Sequence, residues 1–230
     1  MIVISHRGNL SGPNHRTENT LTQIESALLS GFGIETDIRR NESGILYISH
    51  DKDSNCEGNL ANWHAQLWSR YPACEIALNV KELGYEHELI DFIRVHELLE
   101  QCFLFDFELL EQTAGSTAAL IRELDRRIRL AIRVSDRYGE SIERAETAEF
   151  ANVVWLDEFD SLWVTEEIVA RLKHHGRVIY AISPEIHGFS IQDAESRWRQ
   201  FQAWEVDGIC TDFPLRAAAV LKQLCVDAAL

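Results

Sequence analysis

The chain has 230 residues, 46% of them hydrophobic, so it is long enough to bury the core of a single α/β barrel. Its formal net charge of -15 repels nucleic acid phosphates and anionic lipid. Nucleic acid is therefore not an expected partner.

The cysteines and the hydropathy bear on the cell compartment. An odd count of five, without a C-x-x-C pair, argues against both a disulfide framework and a zinc site. Reduced thiols are expected at Cys56, Cys74, Cys102, Cys210 and Cys225. No apolar run approaches the length of a membrane span, and strand-like sequence begins at Ile2 without a signal-peptide pattern. We therefore expect a cytoplasmic protein without stable membrane insertion.

The first fifty residues predict a strand, a helix and a β-hairpin. The elements are a strand at residues 1–5, a helix at 20–31, and strands at 34–39 and 45–49 joined by a turn at 41–44. Thr17 or Asn19 is expected to cap the helix, and Gly31 to end it. The hairpin carries His50 at its end.

Residues 51–73 are polar and irregular, and regular alternation begins beyond them. Strands are expected at 75–80, 102–107, 130–134, 153–156, 178–182 and 208–211, and helices at 87–100, 116–127, 141–150, 165–174, 194–204 and 215–224. About eight strand and helix repeats without a linker predict an α/β fold, a single (β/α)8 TIM barrel with a β-hairpin after the second strand. Residues 1–230 are thus expected to form one domain.

Two carboxylates share one face of the second strand. In an extended strand Glu35 and Asp37 point to the same side while Thr36 points to the other. Adjacent carboxylates raise each other's pKa unless a cation lies between them, and hard oxygen ligands suit Mg²⁺ or Ca²⁺. The alternative is a solvated edge strand whose acids face water.

Further polar side chains are expected at the carboxyl ends of the barrel strands, where the chemistry of such barrels occurs. These residues are His6, Asn79, Lys81, Asp106, Glu108, Asp157 and Asp212. Asn79 and Lys81 share a face, and a lysine ammonium suits a phosphate oxygen. Imidazoles, a carboxylate pair and a lysine around one cavity favour phosphoryl transfer, although some of the acids could simply cap helices.

Five short motifs lie in a defined order between residues 4 and 214. They are His6-Arg7-Gly8, Glu18-Asn19-Thr20, Glu35-Thr36-Asp37, His50-Asp51 and the segment from Asp207 to Pro214. Each is weak alone, but in this order they resemble the glycerophosphodiester phosphodiesterase family. That family belongs to the barrel phosphodiesterases that include phosphatidylinositol-specific phospholipase C.

The resemblance implies metal-dependent hydrolysis of a glycerophosphodiester or a related lipid head-group phosphodiester, a small-molecule substrate. The implied residues are His6 and His50 as general acid and base, Arg7 and Lys81 as phosphate ligands, and Glu35 and Asp37 as ligands of Mg²⁺ or Ca²⁺. By similarity Glu18 would complete the metal or active-site shell. Asp106 and Asp212 are further candidates for that shell from their places at the strand ends.

Position 79 departs from the family pattern, which usually has a metal-binding carboxylate two residues before the lysine. Asn79 can still offer a carbonyl oxygen, but the site loses one negative charge and is expected to bind metal more weakly. An Asn79→Glu variant is accordingly expected to bind metal more tightly. Two alternatives remain open: a diverged, weakly active or metal-independent enzyme, and a silent barrel that only binds a phosphorylated ligand. The oligomeric state is also left open.

The other histidines lack such a context and are expected on the surface. They are His15, His64, His87, His96, His174, His175 and His187. Trp155 is expected to be a packing residue, with a lipid or sugar pocket as the alternative.

Overall fold

The structure, a computed structural model, describes residues 1–52 and 56–227, with side chains up to residue 222. Its strands are β1 (Ile2–His6), β2 (Gly33–Arg40), β3 (Leu46–Ile48), β4 (Ile76–Val80), β5 (Cys102–Phe105), β6 (Arg129–Val134), β7 (Val153–Leu156), β8 (Val178–Ile182) and β9 (Gly208–Thr211). Its helices are α1 (Leu21–Leu29), α2 (Ala61–Trp68), α3 (Glu86–Val95), α4 (Phe107–Leu110), α5 (Ser116–Leu124), α6 (Ile142–Thr147), α7 (Glu166–Lys173), α8 (Ile191–Ala203) and α9 (Pro214–Asp227).

Eight parallel strands close into a barrel. Their hydrogen-bonded order is β1, β9, β8, β7, β6, β5, β4 and β2, and the pairing of β1 with β2 completes the ring, with Ile4 opposite Gly33. β3 pairs antiparallel with β2, with Ile38 opposite Ile48. The predicted (β/α)8 barrel is therefore confirmed.

The barrel interior is packed with side chains from its own strands. Phe103, Phe105, Trp155 and Tyr180 belong to this buried cluster, and the ring centroids of Phe105 and Trp155 lie 4.4 Å apart. Separate buried clusters fill the space between the strands and the surrounding helices. Phe105 and Trp155 also line the polar cavity at the carboxyl ends of the strands. That cavity therefore has an aromatic floor.

The chain leaves β1 in a left-handed turn. Arg7 has a φ of 51° and Gly8 a φ of 81°. A Cβ atom at residue 8 would lie 3.0 Å from the backbone nitrogen of Ile24 in α1, so the turn requires glycine. The backbone N–H of Arg7 donates to the carbonyl of Glu35 at 2.9 Å. This bond ties the turn to β2.

The segment expected to be irregular contains a helix. In α2 the buried residues Ala61, His64, Ala65, Leu67 and Trp68 follow helical spacing. The preceding residue, Leu60, makes no capping hydrogen bond, so the helix lacks the start signal that sequence patterns rely on. Residues 53–55 of this segment lie outside the described residues.

Several predicted elements end earlier in the structure, two of them at or just before left-handed residues. The strand expected at residues 102–107 ends at Phe105, because Asp106 adopts a left-handed backbone with a φ of 67° and α4 follows directly. The helix expected at residues 87–100 ends at Val95, shortly before Glu97, which has a φ of 57°. Both shifts come from left-handed residues that are not glycine.

The cap of α1 is Thr20, whose hydroxyl accepts from the backbone N–H of Gln23 at 3.4 Å. The prediction of Thr17 or Asn19 as the cap is therefore wrong. Asn19 instead turns its side chain toward β2.

Cys56, Cys74, Cys102 and Cys210 are free, and the side chain of Cys225 lies outside the described residues. Within the described ranges, no helix has the length and apolar composition needed to cross a membrane.

Candidate active site

A cavity of about 540 Å³ opens at the carboxyl ends of the barrel strands. The site residues from the sequence that line it are His6, Arg7, Glu18, Glu35, His50, Asn79, Lys81, Asp106 and Asp212. Asp37 contacts Arg7 and Lys81 of this group. The strand register explains the convergence, since His6 lies opposite Glu35 and Asp37 opposite Asn79.

The ring of His6 is held by Asp212, which follows β9. Nδ1 of His6 lies 2.8 Å from Oδ1 of Asp212, and Nδ2 of Asn9 donates to the same oxygen at 2.8 Å. An ionised carboxylate only accepts, so Nδ1 carries the proton, and Nε2 lies 3.7 Å from Oε2 of Glu35. Burial opposes the charged imidazole, but the bond to Asp212 and the charge of Glu35 outweigh it and raise the pKa of His6.

The charge of Asp37 is compensated from several sides. Nζ of Lys81 lies 3.2 Å from Oδ1, and Nε of Arg7 lies 3.3 Å from Oδ2. Nδ2 of Asn19 donates to Oδ2 at 2.8 Å. Burial opposes the charged form, but Lys81, Arg7 and Asn19 hold the pKa of Asp37 below its usual range. This carboxylate is therefore ionised in the folded protein.

The negative charge of Glu35 is offset by fewer contacts than that of Asp37. Its side chain is 4% exposed, and Oε2 has no hydrogen bond within the described structure. Burial and the neighbouring charge of Asp37 raise the pKa of Glu35 above its ordinary value. A cation beside Oε2 would offset this penalty.

Glu18 contacts the cavity through Arg7. Nη1 of Arg7 lies 3.1 Å from Oε1 of Glu18, and Nδ1 of His15 lies 3.3 Å from its Oε2. The side chain of Arg7 is 16% exposed and reaches Asp37 through Nε. Glu18 therefore fixes the guanidinium between two carboxylates.

His50 lies at the mouth of the cavity, just beyond β3. Its side chain is 41% exposed, and Nδ1 lies 2.9 Å from Oδ1 of Asp51. The guanidinium of Arg39 donates to the carbonyl of His50 at 3.1 and 2.6 Å. The backbone of His50 is thus anchored while its ring stays accessible.

Asn79 and Asp106 form a link across neighbouring strands. Nδ2 of Asn79 donates to Oδ2 of Asp106 at 3.0 Å, and Oδ1 of Asn79 is buried without a hydrogen bond among the described residues. Asp106 in turn accepts from Nε and Nη2 of Arg133 at 2.9 and 2.7 Å. Asp106 is therefore engaged by an arginine on one side and an amide on the other.

The wall of the cavity that faces β1 and β2 contains Asp157, which was expected at this rim, and two residues that sequence patterns missed, Arg133 and His187. Nη1 of Arg133 donates to Oδ2 of Asp157 at 3.1 Å, and Nε2 of His187 lies 2.6 Å from Oδ1 of Asp157. The ring of His187 lies 4.2 Å from that of Phe159. His187 lines the cavity, so its expected surface position is wrong. Alternation along β6 could have revealed Arg133, since Ala131 two residues earlier faces the barrel interior.

Sequence patterns also did not identify Asn19 as a residue that positions side chains of β2. It is 3% exposed and adopts a left-handed backbone with a φ of 60°. Besides its bond to Asp37, its Oδ1 accepts from the hydroxyl of Thr36 at 2.7 Å. One amide therefore contacts two successive residues of β2. Asparagine adopts the left-handed backbone more readily than most residues, and this tendency is the sequence feature that could have identified Asn19.

His64 is also wrongly expected on the surface. It is fully buried in α2, and its Nε2 lies 2.7 Å from Oδ1 of Asn59. Burial lowers the pKa of His64 to about 3. It is a neutral packing residue that does not line the cavity.

The donors around Glu35 fit a hard divalent cation. Oε2 of Glu35 and Oδ1 of Asn79 are buried without hydrogen bonds, and Oδ1 of Asp37 has only the ion pair with Lys81. Carboxylate and amide oxygens are the ligands of Mg²⁺ and Ca²⁺. Within the described ranges no three His, Cys, Asp or Glu side chains are grouped closely enough to hold a metal ion, so a third protein donor at this place would have to be the amide of Asn79.

No protein-family model and no curated protein matches the sequence. The fold matches solved structures over nearly its whole length. A glycerophosphodiester phosphodiesterase from Parabacteroides distasonis ATCC 8503 has a TM-score of 0.73 at 14% identity, covering 97% of this chain and 98% of that chain. A protein assigned as a glycerophosphodiester phosphodiesterase from Galdieria sulphuraria has a TM-score of 0.73 at 17% identity, covering 96% of this chain and 97% of that one.

Another glycerophosphoryl diester phosphodiesterase from Parabacteroides distasonis ATCC 8503 has a TM-score of 0.71 at 15% identity, covering 97% of this chain and 86% of that chain. The chain therefore has the barrel fold of these phosphodiesterase structures.

Proposed function

We propose that the chain is a metal-dependent phosphodiesterase that hydrolyses a glycerophosphodiester or a related lipid head-group phosphodiester. The observation that carries this proposal is an imidazole fixed by a carboxylate, His6 with Asp212, in one cavity with the cations Arg7 and Lys81. The likeness in fold to the phosphodiesterase structures supports the substrate class.

Arg7 and Lys81 are the proposed phosphate ligands. Their side chains are 16% and 19% exposed, and both line the cavity beside Asp37. A guanidinium binds two phosphate oxygens with parallel hydrogen bonds, while an ammonium acts as a point charge. Together they would neutralise the charge that develops on the non-bridging oxygens in the transition state.

Glu35, Asp37 and Asn79 are the residues that would hold Mg²⁺ or Ca²⁺. The bound ion would supply Lewis-acid polarisation of a phosphoryl oxygen. The Glu35 carboxylate, whose Oε2 accepts no hydrogen bond among the described residues, has most to gain from the ion.

His6 and His50 are the proposed proton carriers. The raised pKa of His6 favours the imidazolium, which suits a general acid that donates a proton from Nε2. His50, accessible at the mouth, would remove the proton from an attacking water or substrate hydroxyl. As the new P–O bond forms, the bond to the leaving alcohol breaks, and its oxygen takes the proton from His6. Water gives a phosphomonoester, and a substrate hydroxyl gives a cyclic phosphate.

The test is turnover on a panel of glycerophosphocholine, glycerophosphoethanolamine and lysophosphatidylcholine, with Mg²⁺, Ca²⁺ or EDTA, read as released alcohol. We expect turnover with metal, none with EDTA, and none from His6→Asn or His50→Asn. The control is His87→Asn, an exposed histidine of α3, which should retain activity. Absence of turnover on the whole panel with folded protein would overturn the proposal.

A second candidate function, binding of a phosphorylated ligand without turnover, is favoured by the neutral Asn79 among the metal donors. It predicts calorimetric binding of glycerol 3-phosphate by a protein that hydrolyses none of the panel. Turnover abolished by His6→Asn would exclude it.

A further inference from the structure

The amide of Asn79 has a defined orientation. Its Nδ2 donates to Oδ2 of Asp106 at 3.0 Å. Arg133 donates to both oxygens of Asp106, at 2.9 and 2.7 Å. Because both Asp106 oxygens already accept hydrogen bonds from Arg133, the group of Asn79 that faces them is its donor, the NH₂ group. The reversed amide would place two acceptors in contact.

This orientation decides where the amide oxygen points. In the barrel β4 lies between β2 and β5, with Asn79 beside Asp37 on one side and Phe105 on the other. Asp106 follows β5, so the Nδ2 group is turned toward β5. Oδ1, on the other branch of the planar amide, is buried without a hydrogen bond among the described residues, and Asn79 lines the same cavity as Glu35 of β2.

We propose that Asp106, held by Arg133, is a positioning residue that presents Oδ1 of Asn79 to the divalent cation. This inference rests on the proposed function. The negative charge that residue 79 lacks is found instead on a neighbouring residue of the site. A carboxylate stands one strand away at residue 106, where Arg133 neutralises it. The site therefore has a neutral third donor of fixed direction.

The contact between residue 79 and Asp106 also limits the effect of a negative charge introduced at residue 79. An acidic side chain there would meet Asp106 at hydrogen-bond distance with no proton between them. The tighter metal binding expected of Asn79→Glu therefore requires the simultaneous removal of the Asp106 charge.

The test is a mutant cycle read by Mn²⁺ affinity, measured from the electron paramagnetic resonance signal of free Mn²⁺ without substrate. We expect Asp106→Asn to weaken Mn²⁺ binding by roughly 10- to 100-fold, as for other groups that orient metal ligands. Asparagine tolerates the left-handed backbone at residue 106. Asp157→Asn is the matched control, because it also removes one charge from Arg133 but does not contact Asn79. Its effect should be much smaller.

The decisive comparison is made in the Asn79→Ala background. There Asp106→Asn should weaken binding no more than Asp157→Asn does, because the oriented oxygen is already gone. Equal losses from Asp106→Asn in both backgrounds would overturn the positioning role and leave the proposed function standing. No Mn²⁺ binding by the wild-type chain would overturn the metal site and this inference together.

A second variant tests the same positioning role in case Asp106→Asn does not fold. Asp106→Glu keeps the charge and displaces it by one methylene. Weaker Mn²⁺ binding by this variant supports positioning, and unchanged affinity overturns it.

Discussion

His6 and Asp212 are joined through Nδ1 and Oδ1 at 2.8 Å although 206 positions separate them in the chain. Their strands, β1 and β9, pair directly in the closed barrel, with Ser5 opposite Thr211. Barrel closure therefore determines which nitrogen of His6 faces the cavity and raises the pKa of the ring.

Replacing Asp212 by asparagine should reduce kcat roughly 100-fold or more, because the imidazole loses its orientation and its charged form. The variant also lowers the pKa of His6. The high-pH limb of kcat/KM, which reports loss of the acid's proton, should therefore move to lower pH. The measurement is a pH-rate profile, with Asp91→Asn on the exposed face of α3 as the control. A profile that coincides with the wild type would contradict the role of this pair.

Replacing Glu35 by glutamine should stabilise the metal-free protein at pH 8. The folded pKa of Glu35 is raised, so the folded state holds a proton that the unfolded chain releases, and stability falls as pH rises from the ordinary glutamate range through the raised value. Calorimetry with EDTA should show a higher Tm for Glu35→Gln at pH 8, by roughly 2–4 °C per kcal/mol, and a smaller difference near pH 4.

Glu123→Gln, at an exposed position of α5, is the control and should melt with the wild type at both pH values. A lower Tm for Glu35→Gln at pH 8 would mean that the cations around Glu35 already compensate its burial.

Replacing Asn19 by alanine should lower the free energy of unfolding by about 1–3 kcal/mol, since it leaves the buried hydroxyl of Thr36 without its acceptor and removes one of the hydrogen bonds to the buried Asp37 carboxylate. Urea denaturation measures the effect. Asn62→Ala is the matched control, because that amide is exposed and its Oδ1 lies 3.2 Å from Nε2 of the half-buried His96. Equal losses from the two variants would contradict a special role for Asn19.

Replacing Arg133 by leucine should destabilise the fold by about 3–5 kcal/mol, because the buried carboxylates of Asp106 and Asp157 would lose the guanidinium charge that compensates both of them. Arg137→Leu is the control: its guanidinium also lies over the ring of Phe159, but its partner Asp160 is exposed. A surface pair of this kind contributes less than about 1 kcal/mol. Chemical denaturation that ranks the two variants equally would rule out the buried network as the cause.

The part of the site that follows from local rules could be predicted from sequence. Alternation along a strand puts Glu35 beside Asp37 and Asn79 beside Lys81, and a parallel barrel brings the carboxyl ends of its strands to one rim. These two rules are enough to gather most of the cavity lining. They do not say which groups pair with which.

The pairings themselves depend on tertiary contacts. Asn19 reaches Asp37 only because a left-handed turn lifts its side chain away from the start of α1. Asp106 reaches Asn79 because its own left-handed backbone ends β5 early. His187 is the last residue of a short 3₁₀ helix whose sequence carries no sign of a cavity. Such positions escape prediction because their cause lies in neighbouring strands.

The most direct measurement is the ³¹P NMR spectrum of glycerophosphocholine incubated with the wild-type chain and Mg²⁺ or Ca²⁺. We expect the phosphodiester resonance to be replaced by that of a phosphomonoester or cyclic phosphate, and to persist with EDTA or with His6→Asn. A diester signal left unchanged by folded wild-type protein with either ion would contradict metal-dependent phosphodiester hydrolysis at this site.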